Sequence, residues 1–539
     1  MFKKTPSVTW LDSLSAEIFI MTAAVCLAVG VWTAYYLNNF EGLTVIDAMD
    51  AAQVARNLAE GRGFASDFIR PATLGRFPGR EVYPDLYNSP AYPWLLSLFF
   101  RKFGPESQVV TATSLVWSLG ACLLAGGWVW RLCGLGWGIT AFLACALSPG
   151  VLEAAYAGVG IGFQAVICLI FFIAIAGRGP GRAAVSGAVF GILALSEFDF
   201  IFLLPCAVGM YVLYSPAGRR KKGMIFLGAF FMTLSPWLIR NLAVAGNPLA
   251  SLRWSEFFSF TGAWPGNRVF RDISLSAFPA GWVGTVTVKA AVFLGLIGPY
   301  WQVLGYTPLF AVFLTAVFRS GWRLAFAGRM LGVLVVTEVM VIVLTDPNTV
   351  GGLMVFLPAA VVLALAFLHD CAGEKFSGSG WKRAAAWTAL LSVCAYPGVV
   401  TAFSGPPIRR YFESVMGPEE YRLLEEENGL DKIQTVLKPD ELVVSDSPWA
   451  VAWFARRAAV WIPWEIGQLR EIREGTPRVD FIHLSPTIYR YPPAENPAPW
   501  EDIYSSGRVP AWLGFDRGLL LPGENMLIGK RVFERLNLE

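Results

Sequence analysis

The sequence predicts a polytopic α-helical membrane protein of about eleven transmembrane helices, with a small C-terminal α/β domain outside the membrane. Three observations lead there. Of the 539 residues, 55% are hydrophobic and only 15% are Asp, Glu, Lys or Arg, against roughly a quarter in a soluble protein. The apolar residues come in long runs, and about 20 apolar helical residues cross a bilayer. Residues 404–539 instead alternate short β-branched runs with polar, helix-like segments.

The apolar runs fall near 15–37, 107–130, 136–153, 160–177, 183–197, 199–214, 224–243, 289–318, 330–345, 351–368 and 384–403. Lys3 and Lys4 precede the first, as in a secretory signal. Its apolar core exceeds the usual 7–15 residues of such signals and no small-x-small site closes it, so it reads as a retained anchor. Orientation follows from the Lys/Arg bias of short loops. With the N-terminus inside, the inner segments carry the cluster Arg219, Arg220, Lys221 and Lys222 and other cations. The outer turns at 154–160, 197–199 and 345–351 carry no Lys or Arg. The expected location is the inner or plasma membrane, N-terminus cytoplasmic and C-terminal domain extracytoplasmic. These inner loops account for the net charge of +3, so no nucleic-acid partner is expected.

The division is a membrane unit over 1–403 and an outer domain over 404–539. Two large outer loops, 38–106 and 244–288, belong to the membrane unit. In the first, residues 46–60 lack Gly and Pro and predict a helix ended by Gly61 and Gly63. "FIRPATLGRFPGREVYPDLYNSPAYP" reads as irregular, and "WLLSLFF" as a short helix at the interface. In the outer domain "ELVVSD", "AAVWIP" and "VDFIHL" read as strands and "EIGQLREIRE" as a helix. No dinucleotide fingerprint or P-loop is present, and no cofactor is assigned.

The chain has two histidines, His369 on the inner side and His483 in the tail. Chemistry on the outer face therefore falls to carboxylates, Arg, Lys, Tyr and backbone groups. Asp47 and Asp50, three apart on the helix after the first span, share one face. They suit proton transfer or a shared divalent cation, or simply a helix start, where acids are favoured. Glu153, Glu197, Asp199 and Asp346 mark outer ends of spans. Carboxylates at that depth face a cavity or sit among headgroups. Arg56, Arg62 and Arg70 in the first loop and Arg240 in "PWLIRN" could hold the phosphate of a membrane lipid, or snorkel to headgroups. Glu338, mid-way along the ninth span, suggests an inter-helix hydrogen bond.

Together "DAMDAAQVARNLAEGRGF", "NSPAYPWLLSLFF", about ten further spans, "PWLIRN" and the outer tail resemble the GT-C superfamily of integral-membrane glycosyltransferases. The closest likeness is to its protein O-mannosyltransferase and lipid A aminoarabinose transferase branch. That resemblance implies a GT-C-like fold and transfer of a hexosyl or pentosyl unit from a polyprenyl-phosphate-linked donor. The acceptor would be a lipid, glycan or protein on the outer face, with membrane lipids as surroundings and inversion at the anomeric carbon. It places Asp50 as base and Asp47 as its orienting partner or cation ligand. Arg240, Arg56, Arg62 and Arg70 become donor-phosphate ligands. Glu153, Glu197, Asp199, Asn88 and Tyr92 become substrate contacts. Two departures stand out: Asn88 replaces the family's His in "HPPLYP", and "TVGGLMVFLP" lacks the Arg often found at the start of a late span. A transporter or flippase would use the same acids as ion sites, but no internal repeat of the kind transporters show is present. A polysaccharide polymerase or ligase carries its large loop later among the spans.

The topology has a direct check. A Cys introduced within 420–530 should be labelled by an impermeant thiol reagent in intact cells, and one within 215–223 should not; the reverse pattern would invert the whole arrangement.

Overall fold

The computed structural model describes residues 9–40, 42–177, 181–214, 219–259, 268–273, 286–291, 294, 308–319, 322, 324–345, 350–377, 381–404, 430–476, 479–485, 499–508, 518–520 and 526–529. Residues 292–293 and 295–307 of the predicted 289–318 run, and Asp346, lie outside them.

The membrane unit begins with α1 (Thr9–Asn39), followed by the first outer loop with α2 (Ile46–Ala59), β1 (Phe68–Ile69), α3 (Pro71–Arg76) and α4 (Ala91–Phe103). Then come α5 (Ser107–Cys133), α6 (Leu135–Ala146), α7 (Pro149–Ala157), α8 (Ile161–Ala176), α9 (Gly181–Ser196), α10 (Phe200–Tyr214) and α11 (Arg219–Ala245). Short 3-10 turns at Leu252–Phe258 and Arg268–Arg271 follow in the second outer loop. After them run α12 (Pro308–Phe318), α13 (Ala325–Leu344), α14 (Leu357–Ser377) and α15 (Trp381–Ser404). Six of these helices are long and apolar enough to cross a membrane, or seven if one bent pair counts as a single span. Helices α8, α9, α10 and α12 are shorter apolar segments.

The bent pair is where the expected 136–153 span departs from one straight helix. α6 and α7 meet at 57°. Pro149 has no N–H to give, and its ring forces Ser148 into extended backbone (φ −72°, ψ 130°). α1 covers the break: the Trp32 indole donates to the Ala146 carbonyl (2.7 Å), and the Tyr156 hydroxyl donates to the Trp32 carbonyl (2.8 Å).

The tail carries α16 (Leu430–Val436), β2 (Leu442–Ser445), α17 (Pro448–Phe454), β3 (Ala459–Trp461), α18 (Gln468–Gly475), β4 (Val479–Leu484), α19 (Pro499–Ser506), β5 (Gly518–Leu520) and β6 (Met526–Gly529). All three apolar runs expected as strands form β2, β3 and β4. The sheet order is β1-β3-β2-β4-β6-β5. Its first four strands are parallel and the last two antiparallel.

The edge strand β1 comes from the first outer loop. Phe68 and Ile69 register on Ala459 and Val460, and the Ala459 amide donates to the Asp67 carbonyl (2.8 Å). One apolar core therefore runs through both: Phe68, Leu96 and Phe100 of the first loop pack with Phe270 of the second and with Trp449, Trp461 and Trp500 of the tail. The helical bundle has its own core, including Phe171, Phe190, Phe226 and Phe230.

Inside a bilayer, close helix approach at small residues replaces hydrophobic driving force. α9 and α11 meet this way: a Cβ on Gly187 would collide with the Phe226 carbonyl oxygen, whereas one on Gly228 would meet nothing within 4 Å. Gly187→Ala should accordingly destabilise the bundle by about 1–3 kcal/mol through overpacking, while Gly228→Ala should be neutral or stabilising by up to about 1 kcal/mol. Thermal unfolding of the two detergent-solubilised variants separates them.

Candidate active site

Six residues separate α1 from α2, so the chemistry of α2 is tied to a span. Its first turn carries Asp47, which is exposed, and its second carries Asp50, which is 1% exposed. Both Asp50 oxygens are engaged: Oδ2 accepts from the Arg70 guanidinium at 2.7 Å and Oδ1 from the Gln53 amide at 3.0 Å. Residues three apart on a helix share a face, and α2 spends that face on the strand segment. Gln53 donates to Ser66 Oγ (2.9 Å) and accepts from the Asp67 amide (2.7 Å), and Asn57 donates to the Ala65 carbonyl (2.9 Å). Ser66 Oγ in turn donates to the Phe68 carbonyl (2.6 Å).

Arg70 is held from three sides. Its guanidinium lies over the Tyr87 ring at 3.7 Å and the Phe68 ring at 4.2 Å while it reaches Asp50. Burial alone would lower its pKa. The charge of Asp50, helped by Tyr87 and Asp85, more than offsets this and holds the pKa above its ordinary value. Its Nε is buried with no hydrogen-bond partner. Beside it, Asp85 accepts from the Tyr87 and Asn88 amides (2.6 and 3.0 Å) and from the Asn88 side chain (2.7 Å). Burial and the Asp50 charge raise the Asp85 pKa, with Arg70 opposing.

The second loop completes a network. Arg253 pairs with Glu197 (3.1 Å) and Glu256 (3.4 Å) and lies 4.5 Å over the other side of Tyr87. The Tyr87 hydroxyl donates to Glu256 (3.1 Å). Burial lifts the Tyr87 pKa well above its usual value. Tyr87 is therefore a ring between two guanidiniums.

Next to Tyr87 opens a small, largely apolar cleft, bounded by Asn88, Ala194, Phe198, Leu234, Trp237 and Asn241 among others. Arg240 sits between two of these lining residues, half-buried, stacked 4.6 Å over Trp237 and donating to the Phe64 carbonyl (3.0 Å) and Asn241 (3.0 Å). The Asp47 charge also raises the Tyr87 pKa, so Asp47 lies within electrostatic reach of Tyr87.

The structure thus brings Asp47, Asp50, Arg70, Asn88, Glu197 and Arg240 around one network and its cleft. Asp199 acts electrostatically on Arg253 of that network, whereas Arg56, Arg62, Tyr92 and Glu153 lie apart. Arg56 is buried and gives its donors to the Ala452 and Trp453 carbonyls (2.6 and 3.0 Å) and to Asp67 (3.1 Å). Arg62 is exposed, paired with Glu60 and Asp67. The Tyr92 hydroxyl donates to the Gly158 carbonyl (2.8 Å). Glu153 Oε2 is buried with no hydrogen-bond partner, and Asp199 is buried at the start of α10. Glu338 Oε2 also lacks a partner, so that oxygen does not make the expected inter-helix bond. No third His, Cys, Asp or Glu joins Asp47 and Asp50 in a metal-binding group among the described residues. The tail histidine, His483, has both Ser445 Oγ (2.9 Å) and Asp446 (3.9 Å) at the same ring nitrogen, Nδ1. A Ser-His-Asp relay needs opposite nitrogens, so this is a buried structural network.

Sequence reading did not single out Gln53, Asp85, Tyr87, Arg253 or Glu256. A usable signal was "LRWSEFF", where Arg253 and Glu256 stand three apart within an aromatic run.

The fold is similar to that of solved membrane-protein structures. Among solved structures, ArnT from Cupriavidus metallidurans in the apo state matches over 95% of this chain and 98% of its own, with TM-score 0.58 and 14% identity. The same ArnT bound to undecaprenyl phosphate matches at TM-score 0.55 and 14% identity, over 94% and 97%. Archaeal oligosaccharyltransferase AglB from Archaeoglobus fulgidus, in complex with an inhibitory peptide and a dolichol-phosphate, matches at TM-score 0.51 and 12% identity, over 86% and 69%. No protein-family model matches the chain, and no curated protein sequence matches it significantly.

Because Tyr87 separates two guanidiniums and anchors Glu256, Tyr87→Phe should cost about 1 kcal/mol, one hydrogen bond. Tyr87→Ala should cost about 3 kcal/mol, since the ring's packing and both cation–π contacts go too. Thermal unfolding of the solubilised variants checks the difference.

Proposed function

We propose that this protein transfers a sugar from a polyprenyl-phosphate-linked donor to a hydroxyl-bearing acceptor at the outer face of the membrane, with inversion. The observation that carries the reading is the arrangement at the end of the first span. An exposed carboxylate, Asp47, stands one turn before an ion-paired one, Asp50. Tyr87, whose ring stacks on the Arg70 that pairs with Asp50, lines an apolar cleft together with Trp237 and Asn241, which flank Arg240 in the sequence and are touched by its side chain. Support for the donor class comes from the fold shared with ArnT, a structure of which holds undecaprenyl phosphate.

A donor whose anomeric carbon is tethered to a lipid phosphate stays at the membrane surface, so the base must stand there too, on a helix joined rigidly to a span. We assign the base to Asp47 in place of Asp50, because both Asp50 oxygens already accept from Arg70 and Gln53. Asp47 removes the acceptor hydroxyl proton as that oxygen attacks the anomeric carbon. The bond from that carbon to the phosphate oxygen breaks, and the polyprenyl phosphate leaves with the electron pair. Arg240 neutralises the leaving phosphate, and the apolar cleft takes the first prenyl units. Asp50 and Arg70 hold α2 and the strand segment in place beneath. A divalent cation, if one is used, would be held by Asp47 and Asp50 and would add positive charge beside the phosphate. Arg70, whose Nε has no hydrogen-bond partner, remains a secondary phosphate contact, while Arg62 is spent on Glu60 and Asp67 and Arg56 is committed to the tail.

Two measurements test this. Asp47→Asn keeps shape but cannot take a proton, and should lower transfer from a radiolabelled polyprenyl-phosphate sugar by roughly 10²–10⁴-fold in membranes with expression matched to wild type. Full activity of that variant would refute the assignment. Binding of undecaprenyl phosphate itself, without any sugar, should weaken about tenfold in Arg240→Lys, which keeps charge but loses the planar fork; unchanged binding in Arg240→Ala would remove Arg240 from the site.

A further inference from the structure

We propose that the C-terminal sheet is a positioning device for the catalytic loop: it holds β1 in register so that Arg70 meets Asp50, and Arg56 is the clamp that locks the two together. The inference rests on the site described above and adds a role for the tail and for Arg56.

β1 is two residues long and lies between a bend and α3, inside a Pro-rich stretch. Strands that short have no independent stability. Its order must come from what it pairs with. One side is the ladder to Ala459 and Val460 of β3. One face is aromatic: the Phe68 ring meets Trp449 at 6.0 Å and Trp461 at 5.6 Å, and these two meet each other at 5.8 Å. The residue after β1 is Arg70, whose guanidinium stacks on the same Phe68 ring before reaching Asp50. A slip of β1 by one position would turn Phe68 away from the tail and carry Arg70 off Asp50.

Arg56 ties down the other side of this unit. It lies on α2 six residues after Asp50 and is 2% exposed. Its guanidinium caps the last turn of α17 through the Ala452 and Trp453 carbonyls, stacks 5.5 Å over the Trp453 ring, and holds Asp67, the residue before β1. Three parts of the chain (α2, the start of β1 and the end of α17) thus converge on one fork. Burial lowers its pKa, and the Asp67 carboxylate counters part of that cost. Trp453 also anchors to the membrane unit, donating to Ser107 Oγ at 3.0 Å and stacking on Phe100 at 5.9 Å. The second loop is gripped as well: Arg271 Nε donates to the Ile462 carbonyl (2.7 Å) just past β3. The tail closes over both outer loops and fixes the site they form.

The test uses the full-length solubilised protein and two readouts. Amide exchange over residues 64–72, which needs no substrate, is measured for wild type, Arg56→Lys, Arg56→Ala and the exposed tail control Arg456→Ala. Transfer from the polyprenyl-phosphate sugar is measured for the same set, each also combined with Arg70→Ala. Arg56→Ala should speed exchange at 66–70 about tenfold or more and lower kcat about tenfold with donor KM little changed. Arg56→Lys, able to hold one carbonyl, should recover part of both and guards against a variant that fails to fold. Arg456→Ala should match wild type. In the Arg70→Ala background, adding Arg56→Ala should cost less than twofold more, because its effect runs through Arg70. Losses that multiply, or faster exchange with kcat unchanged, would overturn the positioning role. Full transfer by Arg70→Ala would overturn the site assignment itself, a result distinct from wild-type exchange in Arg56→Ala, which would show that the tail is not what holds β1.

Discussion

The buried ion pair between Asp50 and Arg70 is the constraint on which the outer face depends. A carboxylate that is 1% exposed is tolerable only when paired and hydrogen-bonded. Removing one partner of such a pair costs about 3–5 kcal/mol. The pair therefore forces the segment from Ala65 to Arg70 against α2, and that segment can lie there only as the edge of the tail's sheet. Membrane helix, first loop and C-terminal strands are in this sense one mechanical unit, which agrees with the single apolar core they share.

The same pair explains how two carboxylates three residues apart come to differ. Asp50 is spent on structure, so Asp47 faces outward from a base that cannot shift. Under the proposed function, preorganisation of this kind matters because the donor's reactive carbon would be confined to a thin layer at the surface and the acceptor would have to be met there. The alternation Arg70, Tyr87, Arg253 continues the stiffness sideways: two cations separated by one aromatic ring, each neutralised by its own carboxylates, join the first loop to the second. What remains for substrate, under the proposed function, is the cleft and the half-buried Arg240, which touches its lining residues Trp237 and Asn241.

Much of the fold was legible because its signals are local. Runs of apolar residues mark the helices, the Gly- and Pro-free stretch marks α2, and alternation marks β2, β3 and β4. The break at Ser148–Pro149 was readable in principle from Pro149, but a continuous apolar run masked it. The site was only half legible. Spacing put Asp47 and Asp50 on one face without telling which would be buried, because that is decided by Arg70 and by the tail. Arg56 looked like a phosphate ligand for the same reason: its carbonyl partner in Trp453 lies 397 residues away. β1 was invisible as a strand, since two residues in a Pro-rich loop carry no alternation and take their conformation from β3. Arg253 and Tyr87 were missed because neither belongs to a motif; their meaning comes from stacking across two loops.

The central claim is that the first-loop carboxylates and Arg240 frame a site for a lipid phosphate at the outer membrane surface. A cryo-electron-microscopy map of the full chain with undecaprenyl phosphate tests it most directly. The phosphate should lie within hydrogen-bond reach of the Arg240 guanidinium, with the prenyl chain entering the cleft beside Trp237 and Asn88 and the Asp47 carboxylate facing the phosphate side. Lipid phosphate bound at the opposite membrane face, or an Arg240 still closed on Phe64 and Asn241 with the cleft empty of lipid, would contradict it.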